Sequence, residues 1–170
     1  MIFSRTAEYV IRAFVYLALQ PQDRFIMIRR IAEDEGIPEI HLGKILQQFV
    51  RAGLLKSRKG PTGGFALRRR ATDIRLIDIV TQTDGALEYQ RCALGLAQCS
   101  NDRPCSIHDK WTVLRSGILE YLEGNTVAGL AKALRTKRAF LKTAARKPTP
   151  KNAKGRPGHK TKRLTVPPGN

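Results

Sequence analysis

The chain has 170 residues and a formal net charge of +17, from 31 Lys and Arg against 14 Asp and Glu. Its 42% hydrophobic content is ordinary for a globular domain. No stretch is long and apolar enough to cross a membrane, and charges at Arg5, Glu8 and Arg12 interrupt any signal-peptide core. We therefore expect a cytoplasmic protein, and the excess positive charge predicts a polyanionic partner such as nucleic acid.

The first fifty residues contain three segments with helical periodicity. Residues 4–20 carry apolar side chains at helical spacing and stop before a proline. Residues 27–35 form a short amphipathic segment that ends at the Gly-Ile-Pro turn 36–38. A third helix is predicted over 39–52, followed by a glycine that suits a helix end. The apolar positions of this third helix are Ile40, Leu42, Ile45, Leu46, Phe49 and Val50.

The segment after these helices indicates how they are used. Helix, glycine-containing turn and helix is the helix-turn-helix pattern, which is a weak signal alone. Residues 54–57 and 65–67 are predicted strands, joined by the basic, glycine-rich turn 58–64, and together they predict a β-hairpin. A hairpin directly after a helix-turn-helix is typical of a wing. With a further amphipathic helix at 74–82, residues 1–82 are predicted to read DNA.

The predicted DNA contacts lie on the third helix and at the hairpin tip. The second helix of a helix-turn-helix enters the major groove, where Lys and Gln can read base edges and a late Arg meets phosphate. The alternative is a polar helix face and a solvated charge run. The basic residues fall at the exposed points of one consistent topology, which favours DNA. The predicted contacts are His41, Lys44, Gln47, Gln48, Arg51, Arg58 and Lys59.

The chain has three cysteines, and they lie close together: Cys92, Cys99 and Cys105, with His108 three residues after the last. Thiolate and imidazole are ligands for soft and borderline metals and for iron–sulfur clusters. In a reducing compartment such a group favours metal or redox chemistry over a disulfide. Zinc is the rival metal, although paired zinc cysteines are closer in sequence. A metal-free thiol switch is a further alternative. The cysteine loop is predicted to span 88–106.

The C-terminal third is predicted to contain one helix and a tail. Residues 107–124 form a predicted helix whose apolar stripe must be covered, either by a partner helix or by the chain's own domain.

Residues 137–170 contain 11 Lys or Arg and no Asp or Glu. We expect this Lys/Pro-rich segment to be disordered, and the regulator domain to span 1–136. Its segment 154–158 resembles an AT-hook core; a plain basic tail is the alternative, and either would add salt-sensitive affinity for nucleic acid. The apolar stripe of the predicted helix 107–124 consists of Ile107, Trp111, Leu114, Ile118 and Leu122.

The wing segment RKGPTGGFAL at 58–67 and the cysteine trio together resemble one family, the winged-helix regulators typified by the iron–sulfur-cluster regulator IscR and the nitric-oxide-sensing repressor NsrR. The resemblance covers residues 1 to about 130. It implies a mostly α fold: a winged helix-turn-helix with a small β-hairpin wing and a long C-terminal dimerisation helix, here 107–124. It also implies a homodimer on a partly palindromic double-stranded DNA operator. An iron–sulfur cluster held by the three cysteines would set operator affinity, usually for repression.

The resemblance leaves the fourth cluster ligand open. IscR-like members use a histidine shortly after the third cysteine, where this chain has His108, whereas NsrR-like members use an N-terminal carboxylate from the other subunit, where it has Glu8. We favour His108 with a two-iron cluster because it is local to the motif; Glu8 with a four-iron cluster is the alternative. No nucleophile–base set or phosphate loop is visible, so an enzyme is not expected. An architectural DNA-binding protein with structural zinc is the remaining alternative.

Overall fold

The computed structural model describes residues 3–85 and 91–145, with side chains up to residue 140. A single turn of 3-10 helix, Ala71–Asp73, lies between the second strand and the fourth helix. In the described ranges the helices and strands, in chain order, are α1 Arg5–Ala18, α2 Ile28–Glu35, α3 Glu39–Arg51, β1 Leu55–Arg58, β2 Gly64–Leu67, α4 Leu76–Asp84, α5 His108–Gly124 and α6 Val127–Ala145.

Helices α1, α2 and α3 share the main hydrophobic core. The hydroxyl of Ser4 caps α1 by accepting from the Ala7 N–H at 3.1 Å. Helix α2 ends at Gly36, whose φ of 62° is left-handed and so favours glycine. Phe14 of α1 and Phe49 of α3 are fully buried and pack edge to face, with ring centroids 5.2 Å apart. This core holds α1 against α3, and buried Ile31 and Ala32 of α2 belong to the same cluster.

The wing is a two-stranded antiparallel hairpin that is tied to the helices. Leu55 pairs with Leu67 and Arg58 pairs with Gly64, so the strands lie within one residue of their predicted positions. The residue before α2's N-terminal turn, Ile26, exchanges two backbone hydrogen bonds of 2.9 Å with Phe65. The winged helix-turn-helix predicted from the sequence is therefore confirmed.

Helices α4, α5 and α6 connect the wing to the cysteine loop. The Leu76 N–H donates to Asn125 at 2.9 Å, and the Val127 N–H donates to Ile74 at 2.9 Å, so the start of α4 is joined to the turn between α5 and α6. A smaller apolar cluster joins α1, α4 and the end of α5. Helix α6 packs against α1 and the 3-10 turn. None of the described helices is long and apolar enough to span a bilayer.

Two expectations about apolar positions are wrong. Ile40 was grouped with the core positions of α3, but it is 80% exposed. At 3.6 residues per turn it lies about 180° from the centre of the core face, where Phe49 is buried. The α5 stripe is also divided: Leu122 is buried in its own domain, whereas Leu114 is 58% exposed and Ile107 precedes the helix.

Expected disorder from residue 137 is also wrong for residues 137–145, which continue helix α6. The segment is rich in Ala, Leu, Lys and Arg, which are all strong helix formers, so its high positive charge is compatible with a helix. Residues 146–170, including the AT-hook-like segment 154–158, lie outside the described residues, as do residues 86–90 at the start of the cysteine loop.

Candidate metal centre and nucleic-acid interface

The cysteine loop closes onto the first turn of α5. Cys92 is buried, and its carbonyl accepts from the Gly95 N–H at 3.0 Å in a tight turn. Cys99 and Cys105 are half-buried, and all three thiols are free. The Cys105 carbonyl accepts from the N–H of His108, the first residue of α5, at 3.0 Å. The loop therefore gathers its sulfur ligands beside a helix N-terminus.

The environment of Cys92 favours the thiolate. Hydrogen bonds from the backbone N–H groups of Leu94 and Leu96 lower the pKa of the Cys92 thiol, and the side chains of Cys105 and Cys99 lower it further. Burial acts in the opposite direction but does not cancel these contacts. Metals bind cysteine as thiolate, so the lowered pKa of the Cys92 thiol is in the direction that a metal ligand requires.

His108 is held with one ring nitrogen facing the thiols. The imidazole is 5% exposed, its Nδ1 lies 3.6 Å from Cys99 Sγ, and its Nε2 lies 2.7 Å from Asn101 Oδ1. An amide oxygen only accepts, so in the neutral imidazole that makes this contact the ring proton is on Nε2 and the lone pair is on Nδ1. A second partner that fixes the tautomer is typical of metal-binding histidines. Sequence reasoning missed Asn101, since nothing in its spacing marks it.

A further contact ties the loop to α5. The indole Nε1 of Trp111 donates to the Arg91 carbonyl at 3.0 Å, directly before Cys92. His108 and Trp111 lie three residues apart, so they share one face of the helix. Movement of the cysteines would therefore act on the first two turns of α5.

The predicted ligands meet in pairs: Cys99 Sγ lies 3.6 Å from His108 Nδ1, and the side chains of Cys99 and Cys105 contact Cys92, whereas Glu8 takes no part in these contacts. Within residues 3–85 and 91–145, no group of three or more His, Cys, Asp or Glu is arranged to hold a metal ion. Glu8 lies half-buried in the first turn of α1. In the same ranges no hydrogen bond or ion pair joins its carboxylate to the cysteine loop of its own chain.

All seven predicted DNA contacts are exposed on α3 and the wing. Two of them have intramolecular partners: His41 lies edge to face with Tyr9 at 5.9 Å, and the Arg58 guanidinium lies 4.5 Å from the Phe25 ring centre. The Arg58 side chain also donates to the Thr62 carbonyl at 2.9 Å, which braces the wing turn. Their role in DNA binding stays a prediction.

Comparison with known proteins identifies the family. Residues 3–133 match the model of the Rrf2 family, described as iron-dependent transcriptional regulators. The chain belongs to the Rrf2 family. It is 37% identical over 132 residues to a protein of Aquifex aeolicus (strain VF5) whose name assigns it to the HTH-type transcriptional regulators, over 76% of this chain and 91% of that one. It is 29% identical over 132 residues to IscR of Vibrio atlanticus (strain LGP32), a match that covers 78% of this chain and 76% of that protein.

Solved structures agree with this Rrf2 assignment. The T. potens IscR structure matches with a TM-score of 0.61 and 26% identity, over 77% of this chain and 86% of that one. The fold is shared with CymR, the global cysteine regulator of B. subtilis, at a TM-score of 0.66 and 22% identity. This match covers 77% of this chain and 96% of the CymR chain. Relatives named as transcriptional regulators confirm both the suspected family and the expectation that the chain is not an enzyme.

Proposed function

We propose that this chain is a DNA-binding transcription regulator, acting as a repressor, whose operator affinity is controlled by an iron–sulfur cluster that senses redox state, nitric oxide or iron supply. The observation that carries the proposal is the cysteine loop: three thiols and one oriented imidazole gathered at the start of α5. The family is described as iron-dependent, and the IscR relatives support the same assignment. We expect such a DNA-binding protein to act in the cytoplasm.

The donors fit a two-iron cluster held by Cys92, Cys99, Cys105 and His108. A bound cluster would supply a redox-active group whose charge and integrity change with its surroundings. The chain supplies a thiolate-favouring site at Cys92 and a histidine whose Nδ1 lone pair faces Cys99. Six residues separate Cys92 from Cys99 and five separate Cys99 from Cys105, gaps longer than those of paired zinc cysteines, which favours a cluster over zinc.

The fold offers a contiguous connection from this site to the DNA reader. His108 and Trp111 attach the loop to the first turns of α5, and Leu122 at the other end of α5 is buried against Ala7 of α1. Helix α1 in turn packs on α3 and on β2. We propose that a change at the loop rotates α5 and so alters the position of α3 in the major groove.

The exposed side of α5 supports a homodimer. Val113, Leu114 and Tyr121 are 76%, 58% and 51% exposed, which is unfavourable for apolar side chains unless a partner covers them. A second copy would cover the same residues on both helices, as a two-fold interface does. Such a dimer would present two α3 helices to two operator half-sites. The basic tail would add non-specific, salt-sensitive contacts to DNA.

A thiol switch without a cluster is the second candidate function. The lowered pKa of the Cys92 thiol supports it, since the thiolate is the form that oxidises. Burial of Cys92 argues against it, because a redox-sensing thiol must be accessible to its oxidant. Structural zinc is the third candidate, and it predicts DNA affinity that does not respond to redox conditions.

The test is the metal content of the full chain purified without oxygen. We expect iron with matching acid-labile sulfide, visible charge-transfer absorption, and an operator affinity that changes by about 5- to 150-fold when the cluster is removed, the range of ordinary allosteric coupling. Zinc with no visible absorption would contradict the cluster. If the protein holds no metal after anaerobic reconstitution, the thiol switch would be the remaining candidate function.

The fourth ligand is tested by two matched substitutions. We expect His108→Ala to change the visible spectrum of the loaded protein, because it removes the nitrogen that faces Cys99. We expect Glu8→Ala, half-buried on α1, to leave the spectrum unchanged. Absorption and electron paramagnetic resonance spectra of both variants decide the point. The reverse pattern would assign the ligand to Glu8 of the partner subunit and favour the four-iron cluster.

A further inference from the structure

One side of α3, formed by Ile40, Lys44, Gln47 and Arg51, is exposed and carries the predicted DNA contacts. Ile40 is its one apolar residue, and it is not part of the hydrophobic core. Ile40, the second residue of α3, is 80% exposed, whereas Leu42, Leu46 and Phe49 are fully buried. Exposure of one isoleucine costs hydrophobic stabilisation that burial would recover. Its position is not needed for the main core, because Ile40 lies about 180° around the helix from the middle of the core face.

Ile40 shares its face with the polar residues predicted to contact DNA. Lys44, Gln47 and Arg51 follow it at i+4, i+7 and i+11, which places all four along one side of an α-helix. They are all exposed. Ile40 is at the N-terminal end of this stripe, and N-terminal residues of a recognition helix reach base edges.

The neighbouring position leaves room beside Ile40. Residue 43, one turn further along α3, is a glycine, whose added Cβ would lie 3.2 Å from Ile28 Cδ1 of α2. Close packing of α2 on α3 accounts for this glycine, which otherwise weakens a helix interior. Because residue 43 has no side chain, only backbone lies at that position next to Ile40, whose side chain is exposed.

We propose that Ile40 reads thymine by packing against its C5-methyl group in the major groove. Thymine alone among the four bases presents a methyl group there, and an apolar side chain is the group that recognises it. The surrounding Lys44, Gln47 and Arg51 suit phosphates and base edges and do not suit an apolar protein surface. The inference rests on the proposed DNA-binding function, and it assigns one element of operator specificity to one side chain.

The experiment removes the methyl group of thymine on the DNA side and shortens the side chain of residue 40 on the protein side. A preferred duplex is first selected with the full-length protein from a random double-stranded DNA pool, and each thymine in it is then replaced singly by deoxyuridine. We expect one thymine per half-site at which loss of the methyl weakens wild-type binding by about fourfold, the scale of one buried methyl. Ile40→Ala should bind thymine and uracil duplexes equally at that position, and Ile40→Val should retain most of the preference.

The possible outcomes separate this contact from the function on which it rests. Because Ile40 is exposed, both variants should fold like the wild type, which thermal unfolding can check. An enriched duplex that shows no thymine-to-uracil loss, or the same loss in Ile40→Ala as in the wild type, would overturn the contact alone. A protein that enriches no sequence would overturn the proposed regulator and this contact together.

Discussion

Replacing any one of Cys92, Cys99 and Cys105 with Ala is expected to abolish the visible absorption of the anaerobically purified protein and to remove most of its iron and sulfide. Each substitution deletes one of the sulfur ligands that the loop brings together, and three donors remain for a cluster that needs four. Operator affinity should then take the cluster-free value, about 5- to 150-fold different from that of the loaded protein. Iron, sulfide and DNA titrations on the same samples measure both effects.

A matched control lies in the same loop. Ser106→Ala removes one polar atom beside Cys105 from an exposed side chain, so it should retain the cluster and the wild-type DNA affinity. Loss of iron in this control as well would mean that any change in the loop disrupts the site. Full iron content in all three cysteine variants would contradict the assigned ligands. If the iron-free variants bind the operator with wild-type affinity, the cysteines would still be the cluster ligands, but the cluster would not regulate DNA binding.

The sequence predicts the DNA reader well because its signals are local. Helical spacing of apolar residues, the left-handed glycine at 36 and the glycine-rich wing turn each determine structure within a few residues. The error at Ile40 has the same origin: an apolar residue next to a helical stripe looks like part of it, and only the packing of α3 on α1 decides which positions face inward. Exposure of α3's polar side chains followed from the same periodicity.

The site is less predictable because its contacts join distant residues. Spacing predicts the cysteines and His108 as donors, but the contact of His108 with Asn101 and that of Arg91 with Trp111, twenty residues away, do not show in it. Neither contact follows from residue type. The continuation of α6 past residue 137 is missed because Lys and Arg favour a helix as well as a disordered tail, and residues 137–140 are exposed, so no apolar stripe marks the helix there.

Gly64→Ala is expected to lower the free energy of unfolding by about 2–6 kcal/mol, from backbone strain and overpacking together. Gly64 has a φ of 133°, which other residues rarely adopt, and an added Cβ would overlap the carbonyl of Ile26 and lie 2.7 Å from the Met27 nitrogen. Those backbone atoms are held by the hydrogen bonds between Ile26 and Phe65, so they cannot give way without separating the wing from α2.

Gly60→Ala separates strain from overlap. Its φ of 101° is also unfavourable for alanine, but nothing lies within 4 Å of the added Cβ, so it should cost only about 1–3 kcal/mol. Urea unfolding of both variants measures the difference. Gly64→Ala should in addition weaken operator binding more than Gly60→Ala, because the wing that carries Lys59 would be displaced. Equal stability of the two variants would mean that the Ile26–Phe65 hydrogen bonds do not hold the wing against α2.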